Sequence, residues 1–263
     1  MRGALQAGEI HATAIVDPSA EIAADAVIGP YAVIGPRVVI GSGSRIGPHA
    51  VLHQDTRLGR DVQVHQGASL GNDPQDLKYA GEHSELIVGD RTVIREFCTV
   101  NRGTASHGKT EVGHDCLLMA YSHVAHDCVV GNHVVIANAV NMGGHVIVGD
   151  WVIIGGVSAV HQFVRIGAHA IVGGTSAVRK DIPPFVKASG NPLQLFGLNS
   201  VGLRRRGFTE ELRLELKRAY RLFFQSELNV RQAMERAPAE LRPFPEVQQF
   251  LSFIQASDRG ISV

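Results

Sequence analysis

Imidazoles are the most concentrated chemical groups in this sequence. Seven of its thirteen histidines (His114, His123, His126, His133, His145, His161 and His169) fall between Val112 and Val178. Imidazole titrates near neutral pH, so such a cluster suits proton transfer or metal ligation. The densest stretch is Ala120-Tyr-Ser-His123-Val-Ala-His126-Asp127-Cys128, followed by Gly143-Gly144-His145 and Ala159-Val-His161-Gln162-Phe163. A base needs a group to orient it, and Asp127 adjoins His126. Neighbouring side chains on an extended strand point to opposite faces, however, so that pairing requires a bend in the chain. His49, His53 and His65 lie outside the cluster and read as solvated or hydrogen-bonded side chains.

The element that must position these groups is a six-residue repeat. From Ile10 to Val178 an aliphatic residue or methionine fills every sixth position except Asp76, Glu82 and Ser106, which is 26 of 29 slots. Neither helical periodicity nor simple alternation produces a period of six. Three hexads per turn produce an 18-residue triangular coil of short parallel strands, with each aliphatic side chain stacked along the axis. Glycine often follows the aliphatic residue, where it would supply positive φ at a corner. Stacking at strand spacing gives about nine coils, roughly 45 Å tall. Residues 18 apart then lie on neighbouring coils, so His123, His126, His145 and His161 can approach one another within a subunit or across an interface.

Two segments break the repeat and return in phase: a loop at 71–87 carrying Gln75, Asp76 and Lys78, and a loop at 101–111 beginning with Asn101. Loops of this length on a rigid scaffold tend to carry function. The register ends near Ile182-Pro183-Pro184-Phe185, as prolines deny amide donors to the ladder. Beyond it, Thr209 before Glu210 and Glu211 predicts a capped helix to about Ser226. Asn229 and Gln232 predict a capping box opening a second helix to about Arg236. Pro243 and Pro245 precede a third helix carrying Val247, Phe250, Leu251 and Ile254. The organisation expected is a β-helix over 1–190 and a small helical domain over 191–263.

With 25 basic and 25 acidic residues, the chain has no global charge to draw nucleic acid or an anionic membrane. No apolar run approaches 18 residues, which argues against membrane insertion, and no signal-like segment opens the chain. Cys98, Cys116 and Cys128 sit in strand-like hexads and read as reduced core thiols. A cytoplasmic protein is expected.

The repeat resembles that of left-handed parallel β-helix acyltransferases. The histidine motif, with Gln75-Asp76-Leu77-Lys78-Tyr79-Ala80-Gly81-Glu82, Arg102-Gly103-Thr104, Gly190-Asn191 and Arg204-Arg205-Arg206-Gly207-Phe208, resembles one family within them, the UDP-N-acetylglucosamine O-acyltransferases. The resemblance implies a homotrimer with sites between subunits. It also implies transfer of a 3-hydroxyacyl chain from acyl carrier protein to the sugar 3-hydroxyl, the first step of lipid A synthesis, with no cofactor, metal or acyl-enzyme. It makes His126 the general base, Asp127 its orienting partner and Gly144 an N–H donor to the oxyanion. Substrate contacts fall to Gln75, Asp76, Lys78, Asn101, His123, His145, His161 and Gln162. Asn199, Arg205 and Arg206 meet the nucleotide and diphosphate, and Gly174 lies at the end of the acyl groove. Arg165, Arg179 and Lys180 are expected to help dock the acidic carrier protein. Two departures concern sugar binding: Asn101 stands where some members have histidine, and Val201 where the family often has glutamate.

Two other readings fit part of the pattern. A zinc enzyme resembling the γ-class carbonic anhydrases would use His123 and His126 with His145 or His161. A non-catalytic β-helix scaffold would need no base.

Overall fold

A computed structural model describes residue 6 and residues 8–262. Three parallel sheets form the sides of a prism. The first face runs from Ile15–Val16 through Val33–Ile34, Val51–Leu52, Ser69–Asn72, Thr99–Asn101, His123–Val124, Asn141–Met142 and Ala159–Val160 to Ala177–Val178. The second begins at Glu21–Ile22 and ends at Arg165–Ile166, and the third begins at Val27–Ile28. Successive strands visit the three faces in turn, which is the three-hexad coil that the period requires.

Pairing register explains how the loops keep phase. Val33 pairs with Val51 and His123 with Asn141, 18 residues apart in each case. Across the first loop Ser69 pairs with Thr99, 30 residues on, and across the second Thr99 pairs with His123, 24 on. The loops therefore insert two hexads and one hexad. Asp76 and Glu82 fall in the first and Ser106 in the second, so the three failed slots are the three inserted repeats. Both loops leave the corner between the first and second faces.

The core follows the repeat closely. From Ile28 to Val178, every aliphatic or methionine slot is at most 4% exposed. Cys98, Cys116 and Cys128 take the small position two residues before a slot; all three are free and buried, and burial pushes the Cys128 thiol up to about 12. The glycine expectation needs correction. Positive φ falls three residues after the slot, mostly on non-glycine residues such as Tyr31, Asp127, His145 and Trp151. The glycine immediately after a slot is needed for coil-to-coil contact: a Cβ on Gly29 would lie 2.8 Å from the Ile46 carbonyl oxygen.

The prolines do not end the stack. Val186–Ser189 adds a further parallel strand, with Lys187 pairing to Ile171 at a spacing of 16 rather than 18, and Gln194–Leu198 then folds back antiparallel to it. The two prolines shorten the turn and change the register without closing the sheet. Four helices follow: α1 (Ser200–Arg205), α2 (Glu210–Phe224), α3 (Val230–Glu240) and α4 (Pro245–Gln255). The Thr209 cap and the Asn229–Gln232 capping box form as expected. Helix α3 outruns its expected end because Pro238 sits in its last turn, where little hydrogen bonding is lost. Leu212, Leu216, Ala219, Tyr220 and Phe223 of α2 are buried, as are Val247, Phe250, Leu251 and Ile254 of α4, and the Phe223 and Phe250 rings meet edge to face at 5.7 Å. Ser257 Oγ donates to Asp181 at 2.7 Å, tying the C-terminal segment to the last coils.

Candidate active site

Five successive levels of the corner between the first and second faces supply the chemistry. From the N-terminal side these are the 72–84 loop, the 102–108 loop, Ala125–Cys128, Gly143–His145 and His161–Phe163. At the third level Asp127 has φ 58, and this left-handed residue turns the chain through the corner. The turn brings consecutive side chains together: His126 Nδ1–H donates to Asp127 Oδ2 at 2.8 Å. The expected pairing therefore exists, made by the bend that an extended strand lacks.

Asp127 is held from several sides. Its side chain has no exposure, and it accepts from the Thr104 N–H at 2.9 Å and the Thr104 hydroxyl at 2.7 Å. Its own N–H donates to Thr110 Oγ1 at 2.8 Å. Burial pushes the carboxyl up, but the bonds from His126 and Thr104 outweigh it and hold Asp127 below the usual range. An ionised acceptor on Nδ1 fixes the imidazole tautomer and leaves Nε2 as the nitrogen available to take a proton. His145 packs edge to face on His126 with centroids 5.1 Å apart, and burial holds it in its neutral form more firmly than usual. Gly144 closes the pocket: a Cβ there would lie 2.6 Å from His126 Cε1 and 2.7 Å from Nε2. Among the described residues nothing accepts from the Gly144 N–H.

The other expected residues divide into two groups. At this corner, Gln75 and Lys78 are exposed, Asp76 is half-buried, and the Lys78 N–H donates to Asp76 Oδ1 at 3.0 Å. The Asp76 charge bears on His145 across the pocket. His123 is held by Thr99, Nδ1 to Oγ1 at 2.7 Å, and burial lowers its pKa. His161 and Gln162 are exposed, and Arg259 reaches His161 Nδ1 at 3.2 Å. Asn101 is 2% exposed and braces the first loop, its amide donating to the Asp73 carbonyl at 2.7 Å.

The second group lies elsewhere. Asn199, Arg205 and Arg206 line a cleft of about 580 Å³ with Trp151, Ile153, Ile171 and Val201, against the third face. In a triangular prism that face is opposite the His126 corner. Asn199 caps α1 and its Nδ2 donates to the His169 carbonyl at 2.9 Å, while Arg206 lies 4.9 Å from the Trp151 ring centroid. Gly174 sits at the corner between the third and first faces, 3.2 Å from the Gly156 carbonyl oxygen by its would-be Cβ. One chain thus does not bring Gly174, Arg205 or Arg206 to His126.

Several residues were not singled out from the sequence. Thr104 fixes Asp127, and Arg102, 4% exposed, donates to the Gly71 carbonyl at 3.0 Å and the Tyr79 hydroxyl at 2.7 Å, clamping the first loop. Both belong to Arg102-Gly103-Thr104, a segment visible in the sequence whose roles needed the register to be seen. Trp151 and His169 gave no signal beyond their place in the repeat. The histidines expected to bind zinc do not converge as such. Among the described residues the donors that do are His107, Asp127 and His145.

The chain is similar to known proteins throughout this architecture. The model described as "Udp N-acetylglucosamine O-acyltransferase; Domain 2" matches residues 181–262, and the bacterial transferase hexapeptide model matches 19–54 and 109–144. The acyl-[acyl-carrier-protein]–UDP-N-acetylglucosamine O-acyltransferase of Myxococcus xanthus is 50% identical over 190 residues, which is 72% of this chain and 74% of the relative. The solved LpxA of Acinetobacter baumannii is 44% identical with a TM-score of 0.93, covering 96% of this chain and 99% of its own. The LpxA of Bacteroides fragilis, described as a UDP-N-acetylglucosamine acyltransferase, is 39% identical with a TM-score of 0.95, covering 97% and 100%. Likeness at this level carries the left hand of the β-helix and the helical C-terminal domain with it. The chain belongs to the acyl-[acyl-carrier-protein]–UDP-N-acetylglucosamine O-acyltransferase family.

Proposed function

We propose that the protein transfers a 3-hydroxyacyl group from an acyl carrier protein thioester to the 3-hydroxyl of UDP-N-acetylglucosamine, the first step of lipid A biosynthesis. The names of its relatives give the donor and acceptor classes. The observation that carries the mechanism is the His126–Asp127 pair, with Nδ1 held at 2.8 Å and Nε2 beside Gly144. His126 Nε2 removes the hydroxyl proton as the sugar oxygen attacks the thioester carbonyl. The buried Asp127 carboxylate stabilises the imidazolium that forms. The Gly144 N–H donates to the developing oxyanion, an interaction stronger in the transition state than in the ground state. Collapse breaks the C–S bond, and the departing thiolate takes the proton from Nε2. No covalent acyl-enzyme is required.

Asp76 and Lys78 are assigned to the sugar nucleotide, with Gln75, His123, His145, His161 and Gln162 along the same corner and Asn101 bracing the loop. Arg205 and Arg206 take the diphosphate, Asn199 shapes the nucleotide cleft, and Gly174 ends the acyl groove. Because that cleft and the His126 corner lie on opposite sides of one prism, a complete site draws on a second copy of the chain. This supports a homotrimer with sites between subunits. Among the described residues no helix is long and apolar enough to cross a membrane. Three free, buried thiols favour a cytoplasmic location.

The reading is tested by offering 3-hydroxyacyl carrier proteins of graded chain length with UDP-N-acetylglucosamine, and in parallel with its 3-amino analogue. An O-acylated product with one preferred chain length supports it, and absence of product from every donor would overturn it.

A further inference from the structure

The His126 corner also gathers three metal-type donors. His107 Nδ1 lies 4.0 Å from Asp127 Oδ1, and His145 Nε2 lies 3.6 Å from Asp127 Oδ2. The three ligand atoms all fall within 4.8 Å of one another, and the His107 and His145 ring centroids are 5.4 Å apart. Zinc binds imidazole nitrogen and carboxylate oxygen at about 2.0–2.2 Å, so donors around one tetrahedral ion stand roughly 3.3–3.6 Å apart. His107 has 57% side-chain exposure on the 102–108 loop, so a small swing of an unencumbered ring closes the set. The charges of Glu82 and Asp76 bear on Asp127 and His145, which leaves the corner rich in negative charge and attractive to a divalent cation.

We propose that His107, Asp127 and His145 bind one zinc-class divalent cation and that the bound ion inhibits acyl transfer. Such an ion takes up the Asp127 charge that would otherwise stabilise the His126 imidazolium, and it occupies the space beside Gly144. It is no cofactor, because it disables the pair on which transfer depends. His145 Nδ1 is buried without a partner, so the ring lacks the acceptor on its far nitrogen that stiffens resident zinc sites. Binding is accordingly reversible. The inhibitory consequence rests on the acyltransferase reading, whereas binding itself does not.

The test is calorimetric titration of the full-length protein with zinc chloride, alongside transfer assays over the same zinc range, for the wild type and His107→Ala. The expected result is one zinc per chain and inhibition that tracks occupancy. His107→Ala should keep its zinc-free transfer rate while both curves move about tenfold or more to higher zinc. Curves unchanged by His107→Ala, or active wild-type protein that neither binds zinc nor loses activity, would overturn the proposal. Zinc binding that depends on His107 in a protein transferring no acyl group would leave the metal site standing and sink the acyltransferase reading instead.

Discussion

Nδ1 of His126 sits 2.8 Å from Oδ2 of Asp127, the very next residue in the chain. Adjacent side chains meet in this way because Asp127 adopts a left-handed backbone, φ 58, at the corner of a coil. Thr104 of the preceding coil then locks the carboxylate with two hydrogen bonds, so an inserted loop and a regular corner together orient the base.

Asp127→Asn keeps the shape of the side chain but removes the charge that stabilises the imidazolium and permits the wrong tautomer. Turnover should fall by about 10²- to 10⁴-fold, with KM for the sugar nucleotide little changed. Steady-state kinetics read this directly, and an undiminished kcat would remove Asp127 from the mechanism.

Gly144→Ala places a methyl group 2.6 Å from His126 Cε1. The ring must shift, and displacement of a base by about 1 Å costs roughly a hundredfold in rate. The contact is with a side chain, so the coil should survive. A melting temperature near the wild type's with turnover reduced to that extent is expected, and full activity would show that the pocket tolerates the methyl group.

Burial and the Arg206 charge hold the His169 pKa down, from 6.5 to about 4. The unfolded chain therefore binds this proton more readily than the folded one. The stability contributed is fully present above pH 6.5 and is lost as the pH falls through the folded value near 4. Thermal melts across that window should show a gentler decline for His169→Gln than for the wild type. Parallel curves would contradict this assignment.

The opposition of the His126 corner and the Arg205–Arg206 cleft predicts complementation between subunits. His126→Ala and Arg206→Ala homo-oligomers should each transfer poorly. Co-expressed and purified as mixed oligomers through two affinity tags, they should recover activity at sites that pair an intact corner with an intact cleft. Mixtures no more active than their parents would place both halves of the site within one chain.

Much of this was legible in the sequence because a six-residue period is rigid. Once Ile28, Ile34 and Ile40 are stacked, the positions of His126 and Gly144 on successive coils follow by counting. The helices announced themselves through caps at Thr209 and Asn229. Short elements without period did not: α1 and the strand Gln194–Leu198 carry no repeat, and Asn199 reads as a ligand contact until its capping bond to Gly202 is seen. The hexad also says nothing of which corner residue is left-handed, so the His126–Asp127 contact stayed conditional and glycine was credited with a turn that Asp127 and His145 make. Residue roles implied by likeness, such as those of Gly174 and Arg205, came without location, and only the order of the three faces separates them from His126.

The most direct measurement is the rate of acyl transfer from a 3-hydroxyacyl carrier protein to UDP-N-acetylglucosamine by wild-type protein and His126→Ala, with oligomeric state and melting temperature recorded for both. The variant should assemble and melt like the wild type while its turnover falls about 10²- to 10⁴-fold. A variant that assembles normally and transfers at the wild-type rate would contradict the assignment of His126 as the base.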